Sequence, residues 1–409
     1  MRISPVPALL AGALLSLLSL PANAQSAAPA APTLHAVVEQ AWRRSAVVRT
    51  MDARQDEAAA GNALAQSWLA AAPTLGLSER SDRWTDNRDR RETEISLSAP
   101  VLPPGQQAAR RQLAASSAGE IEAQLQRARL DVAGAVRVRY WEAAAARELL
   151  AEQEGHLHHL EDLRDEVRRR VAAGDLARSD RLLAEQEVLA TQGGIAQARS
   201  RAQEALTRFR LLTGMPALPL LEPEPEPLQA PPPTEHVRLR AAESAEQRAR
   251  AAVALASASE RGAPTLSLSM RRERDSALTA ADRSIGIAVQ VPLGGKLRNR
   301  PAETQAATQL ATAAAELAEA RAALELEQSQ ARSQLVNANE GLQAAIARAA
   351  LLREHTSLFE KAFQQGERGL AELLRSRTLL HEADVAVRQQ RVALGLALAQ
   401  LNQTLGILP

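Results

Sequence analysis

Residues 263–275 read APTLSLSMRRERD, and residues 72–84 read APTLGLSERSDRW. Both begin as strict alternations. Leu266, Leu268 and Met270 alternate with Thr265, Ser267, Ser269 and Arg271, and Leu75 and Leu77 alternate with Thr74, Gly76 and Ser78. A period of two places the apolar residues on one face of a strand and the small polar ones on the other. Such segments stand out here. The 409-residue chain is 45% hydrophobic but only 2% aromatic, and helical patterns of Ala, Leu, Glu, Gln and Arg fill most of it.

The two stretches are copies. Pro73 and Pro264 lie 191 residues apart (264 − 73), and other pairs keep nearly that offset. ISLSAPVLPPG (95–105) faces IAVQVPLGG (287–295), AAGDLARSDRLL (172–183) faces QQGERGLAELLR (364–375), and Gly214 faces Gly406. One offset held over so long a stretch marks a tandem repeat. Prolines crowd 215–236 (MPALPLLEPEPEPLQAPPPTEH), which reads as an extended linker. The expected organisation is a signal peptide over 1–24, a first repeat over 25–214, the linker, and a second repeat over 237–409.

Each repeat has the same order. An amphipathic helix comes first, its stripe starting at Leu34, Val37, Val38 and Ala41 in the first copy. A β-hairpin follows, over 73–101 and 264–292, and then a helical hairpin, over 105–212 and 296–405. Leu310, Leu317 and Leu324 recur every seven residues. Ala118, Ile121, Leu125, Ala128, Val132 and Ala135 alternate spacings of three and four, and both patterns are coiled-coil signatures. Gly174 and Gly366 interrupt the helices and read as the turns of the helical hairpins.

At the start of the chain, Arg2, an apolar run from Val6 to Leu20 and Ala22-Asn23-Ala24 read as an export signal cut after Ala24. There is no Cys, hence no disulfide and no lipid-bearing Cys at that site. A net charge of +1 gives no reason to expect nucleic acid as a partner. Catalytic patterns such as GxSxG and HExxH are missing, GGK (294–296) lacks the Walker spacing, and neither an enzyme nor a cofactor is expected. In GHLHHLED (155–162), His156 and His159 share a helix face while His158 points elsewhere, which is too few ligands for a firm metal site. The runs Arg168-Arg169-Arg170 and Arg271-Arg272 read as solvated faces or loop edges.

If the apolar strand faces meet lipid, every backbone group must pair and the sheet must close. Four strands cannot close a barrel, so several copies are required; three would supply twelve strands. The ordered set of features resembles the TolC-like outer-membrane efflux factors. Carrying the resemblance are the strand pairs ending in PVLPPG and VPLGG, the long helix after each, the turns GDLARSDRL and GERGLAELL, and Tyr140-Trp141 within VAGAVRVRYWEAAAARELL (132–150). VPLGGKLRNR (291–300) is similar to the heavy-metal, CzcC-like branch, although that branch places its motif after the first hairpin.

The resemblance implies a mainly α fold with a small β part. A homotrimeric twelve-stranded barrel in outer-membrane lipid would continue as a periplasmic α-helical barrel of antiparallel coiled-coil hairpins. It implies a passive conduit for metal ions or small toxic compounds, docked on a periplasmic adaptor (membrane fusion protein) and through it on an inner-membrane pump. By position, Gly174, Leu176, Ser179, Asp180, Gly366, Leu370 and Glu372 match the adaptor-contacting tips. Asp180, Arg181, Glu372 and Arg375 are candidates for the pore constriction, where rings of carboxylates would select cations. Two alternatives remain: the conduit of a type I protein secretion system, and a periplasmic coiled-coil adaptor with compact β domains flanking one helical hairpin.

Overall fold

A computed structural model describes residues 33–220, 223–227, 231–232 and 235–409. The expected signal peptide lies outside them. The first half runs α1 (Leu34–Arg44), α2 (Ala46–Gln66), β1 (Thr74–Ser81), β2 (Arg91–Pro100), α3 (Pro104–Ala173) and α4 (Arg178–Thr213). The second runs α5 (Val237–Ala258), β3 (Thr265–Arg274), β4 (Asp282–Gln290), α6 (Lys296–Gln364) and α7 (Leu370–Thr404).

Local chemistry sets these boundaries. Thr33 caps α1 by accepting from the Ala36 amide at 3.3 Å. The single helix expected at the start of the first repeat is two helices. Ser45 is extended at φ −64°, ψ 134°, and its hydroxyl caps α2 by accepting from Val47 N at 3.3 Å. Pro104 opens α3, where its missing N–H leaves no helical bond unmade.

At ~1.5 Å per residue, α3 and α6 are each about 105 Å long, and α4 and α7 about half that. Each long helix is therefore flanked by two shorter ones. α3 packs against α4 and α2, α6 against α7 and α5, and α3 also meets α5 and α7. Small residues allow this close approach: Ala123, Ala133, Ala143 and Ala144 are buried on α3, and Ala306, Ala313 and Ala331 on α6. Among larger side chains, Val136, Tyr140 and Phe209 centre one core with Val37 and Val38.

The heptad leucines Leu317 and Leu324 are buried as expected. On α3 the stripe is displaced. Ala135 is exposed, whereas Ala123, Leu130, Ala133, Val136 and Tyr140 are buried. Because α3 is covered from several sides, the single seam of a two-stranded coil does not describe it.

The two β-hairpins join into one antiparallel sheet, order β1-β2-β3-β4. Its seam pairs Ala99 with Leu266 and Ser98 with Ser267, whose hydroxyls meet at 2.8 Å. Glu224, in the proline-rich linker, enters the helical body. Its carboxylate accepts from Arg137 Nε at 2.8 Å and Nη2 at 2.6 Å, while Arg137 Nη1 donates to Gln403 at 2.6 Å.

Candidate functional site

The sheet register aligns like with like. Leu77, Ile95, Met270 and Ile285 form one row across the four strands, and Leu75, Leu97, Leu268 and Ile287 the next. These apolar rows are solvent-facing; Leu75 is 76% and Ile285 77% exposed. On the other face the corresponding rows are Gly76, Ser96, Ser269, Gly286 and Thr74, Ser98, Ser267, Ala288. A small polar face backed by an uncovered apolar face is the arrangement of a wall between water and lipid. β1 and β4 carry unpaired outer edges. Such edges are stable only when another strand or element covers them.

Toward the loops, the small-residue face becomes charged. Arg271 lies between Glu92 at 3.1 Å and Glu273 at 3.0 Å, and Arg80 lies 3.5 Å from Glu92. At the helical end Gly294 fits only as glycine, because a Cβ there would approach Glu260 O to 2.8 Å. GGK is thus a tight strand-to-helix turn, with Gly295 capping α6.

The helical hairpins end about 100 Å from the sheet, at the far ends of α3 and α6. Gly174 has φ +89° and its N–H donates to Val171 O at 3.2 Å; Gly366 has φ +77° and donates to Phe363 O at 3.1 Å. Both close α-helices through a left-handed residue, which glycine adopts without Cβ strain. The two tips lie side by side over one apolar cluster. It joins Leu160, Leu163, Val167, Ala184 and Val188 to Phe363, Leu370, Leu373 and Leu374.

The expected site residues divide by environment. Leu370 is 2% exposed inside that cluster, and Leu176 packs partly buried against it. Ser179 is exposed. The Asp180 carboxylate accepts from the Ala177 amide at 3.1 Å and so helps to cap α4. Arg181 lies 3.6 Å from Glu185, and Glu372 accepts from Arg368 at 3.1 Å. Arg375 is exposed, with no ion pair among the described residues. Within one chain the four candidate constriction residues therefore pair locally or face solvent, not one another.

Arg170, read from the sequence as part of a solvated arginine run, is instead partly buried. Its guanidinium lies over the Phe363 ring at 5.0 Å and Nη1 donates to Phe363 O at 3.4 Å, tying one tip to the other. A run of three arginines concealed it. The available signal was Phe359 and Phe363, two of only three Phe in the chain, beside the second turn. Of the histidines, His156 stacks on His381 of α7 instead of joining His159, and His158 lies 3.9 Å from Asp162. Among the described residues no three metal-binding side chains converge.

Solved structures share this fold. A membrane protein from Pseudomonas aeruginosa matches at a TM-score of 0.74 with 18% identity, over 91% of this chain and 90% of its own. The CmeC outer membrane channel of Campylobacter jejuni matches at 0.72 with 14% identity, over 91% and 85%. The open state of the MtrE outer membrane channel of Neisseria gonorrhoeae matches at 0.72 with 16% identity, over 92% and 89%. No family model and no curated sequence matches the chain. At these identities the likeness is one of fold: a mostly helical body with a small sheet, arranged as in those channels.

Proposed function

We propose that three copies of this chain form an outer-membrane channel of a tripartite efflux system. The observation that carries the reading is the four-stranded sheet. It has two open edges, one face of exposed aliphatic rows and one face of Gly, Ser and Thr. Three such sheets joined edge to edge give twelve strands, close every backbone hydrogen bond and enclose a polar lumen. Exposed leucines seven residues apart support the same assembly along the helices: Leu182 and Leu189 on α4, and Leu351 and Leu358 on α6. They are seams for neighbouring copies to cover.

In this reading the sheet lies in the outer membrane, the helices fill the periplasm, and cargo passes without chemistry. The tips meet a periplasmic adaptor, and through it an inner-membrane pump. Gly174, Ser179, Asp180, Gly366 and Glu372 form the contact surface, with Leu176 and Leu370 holding the turns in shape. Asp180, Arg181, Glu372 and Arg375 surround the constriction. The cargo is metal ions or small toxic compounds, metals being favoured by the likeness of VPLGGKLRNR to the heavy-metal branch. The adaptor alternative expects compact β domains around one helical hairpin, whereas the described residues hold two helical hairpins and one shared sheet.

The decisive experiment is fractionation with planar-bilayer recording. Heat-modifiable trimers in the outer membrane that conduct ions support the proposal; a wholly soluble periplasmic monomer overturns it.

A further inference from the structure

Charges on the sheet are sorted by face. On the small-residue face, acids and arginines interleave: Arg80 with Glu92, and Arg271 with Glu92 and Glu273. The aliphatic face differs. Directly beyond the row Leu77, Ile95, Met270, Ile285 comes the row Glu79, Thr93, Arg272, Arg283, and then Ser81, Arg91, Arg274. Arg272 stands opposite Arg283, and Arg91 opposite Arg274. Like charges directly opposite on neighbouring strands repel and destabilise a sheet.

The fold supplies little to offset this. Asp89 pairs with Arg274 at 3.2 Å. Arg91, Arg272 and Arg283 are exposed and have no ion pair among the described residues. Glu79 shares the row of Arg272 and Arg283, but Thr93 separates it from Arg272. The belt remains net positive with both acids counted.

We propose that this belt binds the phosphate groups of an anionic lipid in the outer leaflet, through Arg91, Arg272, Arg274 and Arg283. The inference rests on the barrel reading above. An amphiphile suits the surface in both parts. Its acyl chains lie along the aliphatic rows, and its phosphates meet the guanidinium forks at the row ends. Arginine binds phosphate in a bidentate manner, and a phosphate between two opposed guanidiniums turns their repulsion into attraction. A free phosphate ion would use the belt but leave the adjoining rows uncovered, so the lipid is the assigned occupant. The belt lies at the loop end, opposite the helices, which in a barrel with periplasmic helices is the outer leaflet.

The test uses the full-length assembly reconstituted into phosphatidylcholine vesicles with or without bisphosphorylated lipid A. Native mass spectrometry then measures the lipid retained after detergent exchange. Native protein is expected to retain the bisphosphorylated lipid. The double variant Arg272→Gln/Arg283→Gln should lower retention about tenfold or more, and Arg332→Gln, an exposed charge on α6, should not. Dephosphorylated lipid A should be held weakly by all three. Equal retention by the double variant, equal retention of dephosphorylated lipid, or displacement by inorganic phosphate alone would each overturn the proposal. Insertion into phosphatidylcholine with no preference for the phosphorylated lipid sinks the belt and leaves the barrel standing. Failure to insert into any vesicle removes both.

Discussion

His156 of α3 and His381 of α7 stack face to face, their ring centroids 3.8 Å apart and their planes 9° from parallel. The stack joins the first helical hairpin to the second. Burial, then His381, His159 and Arg377, push the His156 pKa from 6.5 down to about 4. Burial also lowers that of His381, opposed by Glu152, Asp384 and Glu382. The native stack is therefore neutral, while the unfolded chain takes up protons at higher pH. Stability from this joint is complete above the unfolded value and falls as pH drops from 6.5 toward 4. Melting temperature should decline between about pH 7 and about pH 5, and His156→Gln should flatten that decline. An unchanged pH profile in the variant would show that the stack does not titrate with folding.

The Arg137–Glu224 pair anchors the linker, with side chains only 2% and 11% exposed. Removing one partner of a buried pair strands the other charge. Glu224→Ala is expected to cost about 3–5 kcal/mol, read as a lower denaturant midpoint. Proteolysis within 215–236 should accelerate in step.

Gly395 of α7 faces the indole of Trp141 so closely that an added Cβ would fall 2.1 Å from Cη2. The indole is braced edge-on by Tyr140 at 5.2 Å. Although alanine favours helix, Gly395→Ala should destabilise by about 1–3 kcal/mol. In a Trp141→Leu background the penalty should largely vanish. Additive losses in the double-mutant cycle would mean that the cost does not come from the indole.

Leu268 sits mid-row on the aliphatic face, whereas Ser78 lies on the small-residue face. Leu268→Arg should cost about 2–4 kcal/mol in a bilayer and deplete trimers from the outer membrane. Ser78→Arg should assemble normally and alter conductance. The reverse pattern would exchange the lumen and lipid faces.

At the tips, Glu372 holds Arg368 at 3.1 Å. Planar-bilayer recordings of Glu372→Ala should show altered single-channel conductance and weaker block by divalent cations. Identical currents would place Glu372 outside the constriction.

The sheet was legible because its signal is strict. The alternation in APTLSLSM and in its copy APTLGLS fixes which residues share a face, and the structure places β3 at Thr265–Arg274 and β1 at Thr74–Ser81. The turns at Gly174 and Gly366 were equally readable, since each needs a positive φ. The burial phase of α3 was not, because Ala is apolar enough for any seam and only the neighbouring helices decide which Ala is covered. Nor was the Ser45 break, where one serine caps a new helix between two helix-favouring runs with no Gly or Pro to mark the boundary. Pairings between repeats, such as Arg170 with Phe363 or His156 with His381, depend on how two hairpins lie together, which spacing within either one does not encode.

The seam between β2 and β3 also orders events in time. Ala99 and Leu266 meet across a separation of 167 residues (266 − 99), while each helical hairpin turns back on itself within a few residues. Distant pairings are slow to form, and local ones are fast. Each β-hairpin can close locally, as the helical hairpins do, but the β2–β3 seam must wait until β3 has been made, long after β2, and the greasy faces lack their full sheet until then. During that interval the protein is most vulnerable to sticking to the wrong neighbour, so its safe delivery depends on how long those four strands are kept apart from other surfaces.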